Sequence, residues 1–210
     1  MNRAQLRSRT YEITGLQATD PLATMAIVNR HVDAALRHVA ADYDWPWLVV
    51  EVPIPLVVNQ GDYDPGANWI KTIDFGLTQG AELGPFTYIS ALALDEMYPG
   101  GATQHGSPRH YTIVNNKLRV RPIPDGAMTA MHRYKTGEPP LVDDTDEPLM
   151  PAEYHDQLVE LVAGMALAAT RDPRGQDFWA RYIAWSKRLR DEHTRKSGAQ
   201  RIRVRPGGWL

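Results

Sequence analysis

Cysteine is absent from the 210 residues, which excludes disulfides, thiolate zinc sites and cysteine nucleophiles and leaves stability to packing or partners. Long apolar runs are missing too. The longest, around Leu161–Ala169, is interrupted by Gly164 and is too short for a bilayer span, and Met1–Leu6 has no apolar signal region. The chain therefore reads as soluble and unprocessed, with no membrane partner. Nucleotide and acyl-transfer signatures are lacking as well. No GxGxxG, GxxxxGK[ST] or GxSxG pattern occurs, and Gly100-Gly101 follows a proline instead of lying between a strand and a helix.

The histidines do not supply a metal signature. His31 and His38 lie seven residues apart, beyond the i, i+4 step of two ligands on one helix face, and His105, His110, His132, His155 and His193 share no motif with carboxylates. Asp143-Asp144-Thr145-Asp146-Glu147 lacks the central glycine and the terminal glutamate of a calcium loop and reads as a solvated acidic hinge. No catalytic residue, metal ligand or cofactor is assigned, and the expectation is a protein that is not an enzyme.

What is present is an ordinary globular composition, 43% apolar and 23% charged, able to offset the entropy of ordering the chain. The net charge of −2 hides an uneven distribution. Residues 187–210 hold eight Lys/Arg against Asp191 and Glu192, while the remaining body is acidic. A basic tail on an acidic body suits a tail made for a partner.

Periodicity divides the chain. Residues 3–14 read as a short helix stopped by Gly15, and Thr19-Asp20-Pro21 reads as the start of a longer one, with Met25, Val28, Val32, Ala35, Leu36, Val39 and Tyr43 on one stripe and an end near Asp44. From Leu48 to Tyr134 the period becomes that of strands. Val50, Val52, Ile54 and Leu56 alternate with Pro53 and Pro55 in an edge strand, and further strands are expected at 69–75, 86–89, 110–114, 118–121 and 129–134, in a small antiparallel sheet or sandwich. Ser90 caps a helical segment at 91–97, followed by a mobile loop at 99–108. Helical periodicity returns at Pro151, with Leu158, Leu161, Val162, Met165, Leu167 and Ala168 on an apolar face. Asp172-Pro173-Arg174-Gly175 then breaks the chain before a second helix carrying Phe178, Tyr182, Trp185 and Leu189, so the two should pack as a hairpin. Trp45, Trp47, Phe178, Trp179, Tyr182 and Trp185 could stack on bases, but aromatics on amphipathic helices read as core.

The fold class expected is α+β, mainly helical: a helical bundle with an inserted small antiparallel β-rich segment and an extended C-terminal tail. The boundaries are 1–47 for the N-terminal helices, 48–142 for the insertion, 148–193 for the helical hairpin and 194–210 for the basic tail. In that tail Arg201, Arg203 and Arg205 alternate with Ile202 and Val204, and Trp209-Leu210 close the chain. Such a strand could add to a partner's sheet, with Trp209 as anchor. Salt-sensitive phosphate binding and a disordered tail are the competing readings.

Four local blocks carry a resemblance. They are Asp42-Tyr43-Asp44-Trp45-Pro46-Trp47 with Gly61-Asp62-Tyr63-Asp64-Pro65; Gly106-Ser107-Pro108-Arg109-His110-Tyr111-Thr112-Ile113 running into Asn116–Asp125; Met131–Lys135; and Leu149-Met150-Pro151-Ala152-Glu153-Tyr154-His155 running into Gln157-Leu158-Val159. In order and spacing they resemble the head-to-tail adaptor (connector) protein family of tailed bacteriophages over roughly residues 3–190. Asp64-Pro65-Gly66, where Leu-Pro is usual, and the long linker at 77–85 depart from the pattern. The resemblance implies a virion structural protein of the neck, made in the host cytoplasm and assembled as a homo-oligomeric ring, commonly a dodecamer, beneath the portal protein. Such a ring would extend the channel, let double-stranded DNA pass without sequence-specific binding and give a stopper or tail protein its platform. It implies a portal-binding role for Arg201, Ile202, Arg203, Val204, Arg205, Trp209 and Leu210. Another neck protein (stopper or tail-terminator), a DNA-binding module using the tail, and a hydrolase without a motif are the rival readings.

Overall fold

The computed structural model describes residues 1–77, 84–100 and 103–199, with backbone alone over 195–199. Asn2 opens the first helix, α1 (Arg3–Thr14), through a capping box: its side chain accepts from Gln5 N while the Gln5 side chain accepts from Asn2 N, both at 2.9 Å. Gly15, at φ 73°, ends it. Leu6 is buried as its position suggests, but Ile13 is half-exposed. The rest of the buried face is Thr10 and Thr14, whose hydroxyls donate back to Leu6 O (2.8 Å) and Thr10 O (2.7 Å) and so tolerate burial.

The second helix, α2 (Met25–Asp42), begins four residues after Pro21, a correction to the expected start. Asp20 is engaged otherwise: its carboxylate accepts from Gln17 N at 2.7 Å and its carbonyl from Ala23 N at 2.9 Å, closing a turn. Val28, Val32, Ala35, Leu36 and Val39 are buried as expected, whereas Met25 is 55% exposed. Contacts divide the chain into two compact units, one of Met1–Tyr43 with the segment from Pro140 on, the other of Asp44–Pro139.

Among the described residues the second unit holds eight strands: β1 (Val49–Leu56), β2 (Asp62–Tyr63), β3 (Trp69–Leu77), β4 (Gly84–Pro85), β5 (Thr87–Tyr88), β6 (His110–Val114), β7 (Lys117–Arg121) and β8 (Met128–Thr136), with a helix α3 (Ala91–Met97), capped by Ser90, between β5 and β6. They form two four-stranded sheets, ordered β1-β8-β3-β4 and β2-β7-β6-β5. All pairings are antiparallel except β5 with β6. Pro53 and Pro55 do lie on an edge strand, where a missing donor costs no ladder bond. Asn115 and Asn116, at φ 51° and 59°, make the left-handed two-residue turn between β6 and β7. The sheets share one core: Ile54, Leu56, Phe75 and Leu77 meet Tyr63, Tyr111, Leu118 and Val120. The Phe75 ring stands edge-on to Phe86 at 4.9 Å and to Tyr111 at 5.6 Å.

The segment expected to be a mobile loop is held where it is described. Gly106 N donates to Ile123 O at 2.8 Å and Ile123 N to Gln104 O at 2.9 Å; residues 101 and 102 lie outside the described residues.

In the first unit a 3-10 turn at Ala152–Tyr154 precedes α4 (His155–Ala169), so the regular helix starts four residues beyond Pro151. Helix α5 (Gly175–Ala199) follows. Leu158, Val159, Leu161, Val162, Ala163, Ala166 and Leu167 are all buried, because α4 packs against α1, α2 and α5. Its expected single face is thus a buried circumference, although Ala168 is exposed. The hairpin closes on glycines: a Cβ on Gly175 would stand 3.1 Å from Ala168 N and from Gly164 O. Tyr182, Trp185 and Leu189 are buried, with Phe178 and Trp179 half-buried, and the His38 ring lies 5.3 Å from Trp179 and 5.7 Å from Tyr182. These aromatics are core, as read. Helix α5 runs on to Ala199, so residues 194–199 are helical and not part of an extended tail.

The fold is α+β, with about 42% helix and 24% strand. Helix outweighs strand without the molecule being mainly helical, since the β-rich segment carries a core of its own.

Candidate interaction surfaces

Histidine and carboxylate chemistry is spent on structure. Among the described residues no three His, Cys, Asp or Glu side chains come together in a way that could hold a metal ion. His132 is fully buried: its Nδ1–H donates to Pro65 O at 2.8 Å, leaving Nε2 to accept from the Thr72 hydroxyl at 3.0 Å. His155, also buried, donates from Nε2 to Met150 O at 2.8 Å and accepts at Nδ1 from the amino group of Met1. The His155 pattern requires the neutral ring, because the Met1 ammonium can only donate, and the His132 pattern accommodates it.

Burial holds the pKa of His132 and of His155 below the ordinary histidine value, and burial does the same at His31. The unfolded chain then binds more protons than the folded one as pH falls through about 6.5, so stability is full above that pH and declines below it. Each buried ring contributes at most about 1.4 kcal/mol per pH unit. Urea midpoints at pH 7.5 and 5.5 should therefore differ, with the lower value at pH 5.5; equal midpoints would contradict the neutral-ring assignment.

The acidic segment is not a free hinge. Asp146 accepts from Val142 N (2.7 Å) and Asp143 N (2.8 Å), and Asp144 receives Arg7 in two bonds at 2.8 and 3.0 Å. Carbonyls of Asp146 and Asp144 accept Arg3 N (2.9 Å) and Ala4 N (3.1 Å), two of the open donors at the start of α1. The run thus places negative charge at the positive end of that helix.

Several large apolar side chains are exposed. In the first unit they include Leu22 (56%) and Met25 at the start of α2 and Ile183 on α5, beside a shallow groove bordered by Ala184, Lys187, Arg188, Asp191 and Glu192. In the β-rich unit Val57, Val58, Ile70, Ile73, Tyr88 and Leu92 are exposed. An open cleft of about 280 Å³ is lined by Trp69–Thr72 of β3 in one sheet and by Tyr88, Tyr111 and Ile113 of β5 and β6 in the other. Neither the cleft nor the short strands β2 and β4 had a sequence signal, because each depends on which strands become neighbours. The tail residues Arg201, Ile202, Arg203, Val204, Arg205, Trp209 and Leu210 lie outside the described residues.

Comparison with known proteins shows the family. A family model described as SU10 adaptor protein matches residues 1–205. The chain belongs to the SU10 adaptor protein family. This is a phage head-to-tail adaptor family of structural proteins, not an enzyme family. The match takes in both units of this adaptor, so the β-rich unit belongs to the family pattern as much as the helices do. A search of proteins with curated functions found none similar to this adaptor. Among the described residues no helix of it is long and apolar enough to cross a membrane.

Proposed function

We propose that this chain forms a ring beneath the portal in the phage neck, held by a modest contact repeated around the circle.

 The observation that carries this reading is the family match over residues 1–205. A heterologous contact closes into a ring by geometry, and many weak contacts together hold it. In this reading the helical segments 1–47 and 148–193 pack neighbouring copies, with a dodecamer as the expected ring. The β-rich segment 48–142 faces outward or toward the tail, where a stopper or tail protein docks. The basic segment beyond the last helix, with Arg201, Ile202, Arg203, Val204, Arg205, Trp209 and Leu210, reaches the portal protein. The acidic body suits a channel through which double-stranded DNA slides, because a basic lining would hold the phosphates.

The test mixes the cognate portal with full-length protein and with a version ending at Ala199, the last residue of α5. Co-sedimentation measures binding and electron microscopy identifies rings. Full-length protein bound as a ring, with the shortened version unbound, is the expected result. Absence of portal binding by either would overturn the reading, and salt-sensitive DNA binding that depends on the tail would put a DNA-binding module in its place.

A further inference from the structure

The helical unit carries two exposed patches, each with an apolar side chain beside unpaired charges, and the charges differ in sign. On α5, Ala180, Ile183, Ala184, Lys187 and Arg188 recur at three- and four-residue steps and are all exposed, opposite the buried Tyr182, Trp185, Ser186 and Leu189. The outward face of this helix thus has an isoleucine, 48% exposed, between two alanines, where a helix facing only water carries polar side chains. No acidic side chain occurs between Asp177 and Asp191. Of the cations in that stretch Arg181 turns to Glu160 at 3.8 Å and Arg190 to Asp42 at 3.3 Å, whereas Lys187 and Arg188 form no ion pair among the described residues. Asp191 and Glu192 border the same groove one turn further on, so the positive charge is concentrated on the side of Ile183.

The second patch lies on the segment that covers the first turn of α1. Val142 is 71% exposed, and its backbone is fixed: its N–H donates to the Asp146 carboxylate at 2.7 Å and its carbonyl accepts from the Arg3 guanidinium. A side chain on a backbone held in this way loses little freedom when a partner covers it. The cations nearby are committed, Arg3 to Asp33 at 3.8 Å and Arg7 to Asp144 at 2.8 Å. Asp143 and Glu147 are exposed and form no ion pair among the described residues.

Helix α4 separates the two patches. It packs against both α1 and α5, and no comparable packing joins α1 to α5. The outward face of α5 turns away from α4, and the acidic segment is tied to the start of α1. One molecule therefore cannot cover its own acidic patch with its own α5. Two unpaired cations beside an isoleucine, and two unpaired acids beside a valine, are complementary surfaces that a second copy of the same chain brings together.

We propose that the Ile183–Arg188 face of α5 in one copy packs on Val142 of the next copy, with Lys187 and Arg188 meeting Asp143 and Glu147. This rests on the ring reading above, which gives the neighbour contacts to the helical segments, and it names the residues of that contact. The two patches differ, so the contact is heterologous and each copy keeps one of each for a further neighbour.

The absence of cysteine makes the test direct. Ala184→Cys and Val142→Cys are made singly in the full chain, mixed in the presence of the cognate portal, and treated with a short bismaleimide; circular dichroism checks that each is folded. The mixture should give cross-linked dimers, a chain carrying both substitutions should give a ladder of multimers, and each single variant alone should stay uncross-linked. Dimers from a single variant would make the contact isologous and overturn the proposal. Lys187→Glu with Arg188→Glu should raise the concentration needed for half-assembly roughly tenfold, and adding Asp143→Lys with Glu147→Lys should restore it. If wild-type protein forms rings but the mixture gives no dimers, the contact is wrong and the ring stands. If wild-type protein forms no multimer at any concentration, with or without portal, ring and contact fall together.

Discussion

Gly76→Ala should destabilise the β-rich unit by about 3 kcal/mol, at the upper end for overpacking a filled core. Gly76 lies on β3 opposite Pro85 of β4, and it is buried. A Cβ added there would stand 2.6 Å from Pro85 Cα and 2.9 Å from Gly84 C, and closer still to Gly84 O. These are backbone atoms, which cannot rotate away, so the pairing of β3 with β4 must open. Phe75 and Leu77 flank the site and belong to the core shared by the two sheets, which spreads the damage beyond one hydrogen bond. Gly126→Ala is the control, because a Cβ there meets nothing within 4 Å. It should be neutral or stabilising by about 0.4–1 kcal/mol through the unfolded chain. Hydrogen exchange resolves β3 from α4 and so assigns the loss to its unit; an unchanged β3 in Gly76→Ala would show that the strands are not so closely apposed.

Leu161→Ala should cost about 2–5 kcal/mol in the helical unit. Leu161 is fully buried on α4, the helix that packs against α1, α2 and α5 at once. Its removal leaves a cavity that no single neighbour can fill, because the glycine contact between Gly164 and Gly175 already holds α5 close to α4. Ala168→Ser, at an exposed position on the same helix, should change stability by less than about 0.5 kcal/mol. Urea denaturation followed by circular dichroism at 222 nm compares the two. A loss below about 1 kcal/mol for Leu161→Ala would mean that α4 is not the centre of the helical packing.

Much of the local structure was legible from residue order. Asn115-Asn116, Ser90, Gly15 and the alternating residues of β1 act through backbone conformations and hydrogen bonds to near neighbours, and each does in the fold what its type suggests. Errors came where a distant partner competed. Asp20 has the chemistry of a helix cap but closes a turn with Gln17 and Ala23, and the helix begins after Thr24. Asp143–Glu147 has the composition of a solvated hinge but is tied to the first turn of α1, more than 130 residues earlier in the chain.

The candidate surfaces divide in the same way. The basic, alternating tail is a property of sequence alone, and it lies outside the described residues. The residues that line the cleft, Trp69, Ile70, Tyr88, Tyr111 and Ile113 among them, have no common pattern in the sequence. Their grouping follows from strand order and register. The sequence by itself determined the α+β class, the positions of most helices and strands, the lack of any thiol chemistry and the asymmetry of charge, because these depend on residue type and short-range periodicity. Only the tertiary structure decided which strands became edges, which cation Asp144 found and where a cleft opened, because each of those is a contact between residues far apart in the chain.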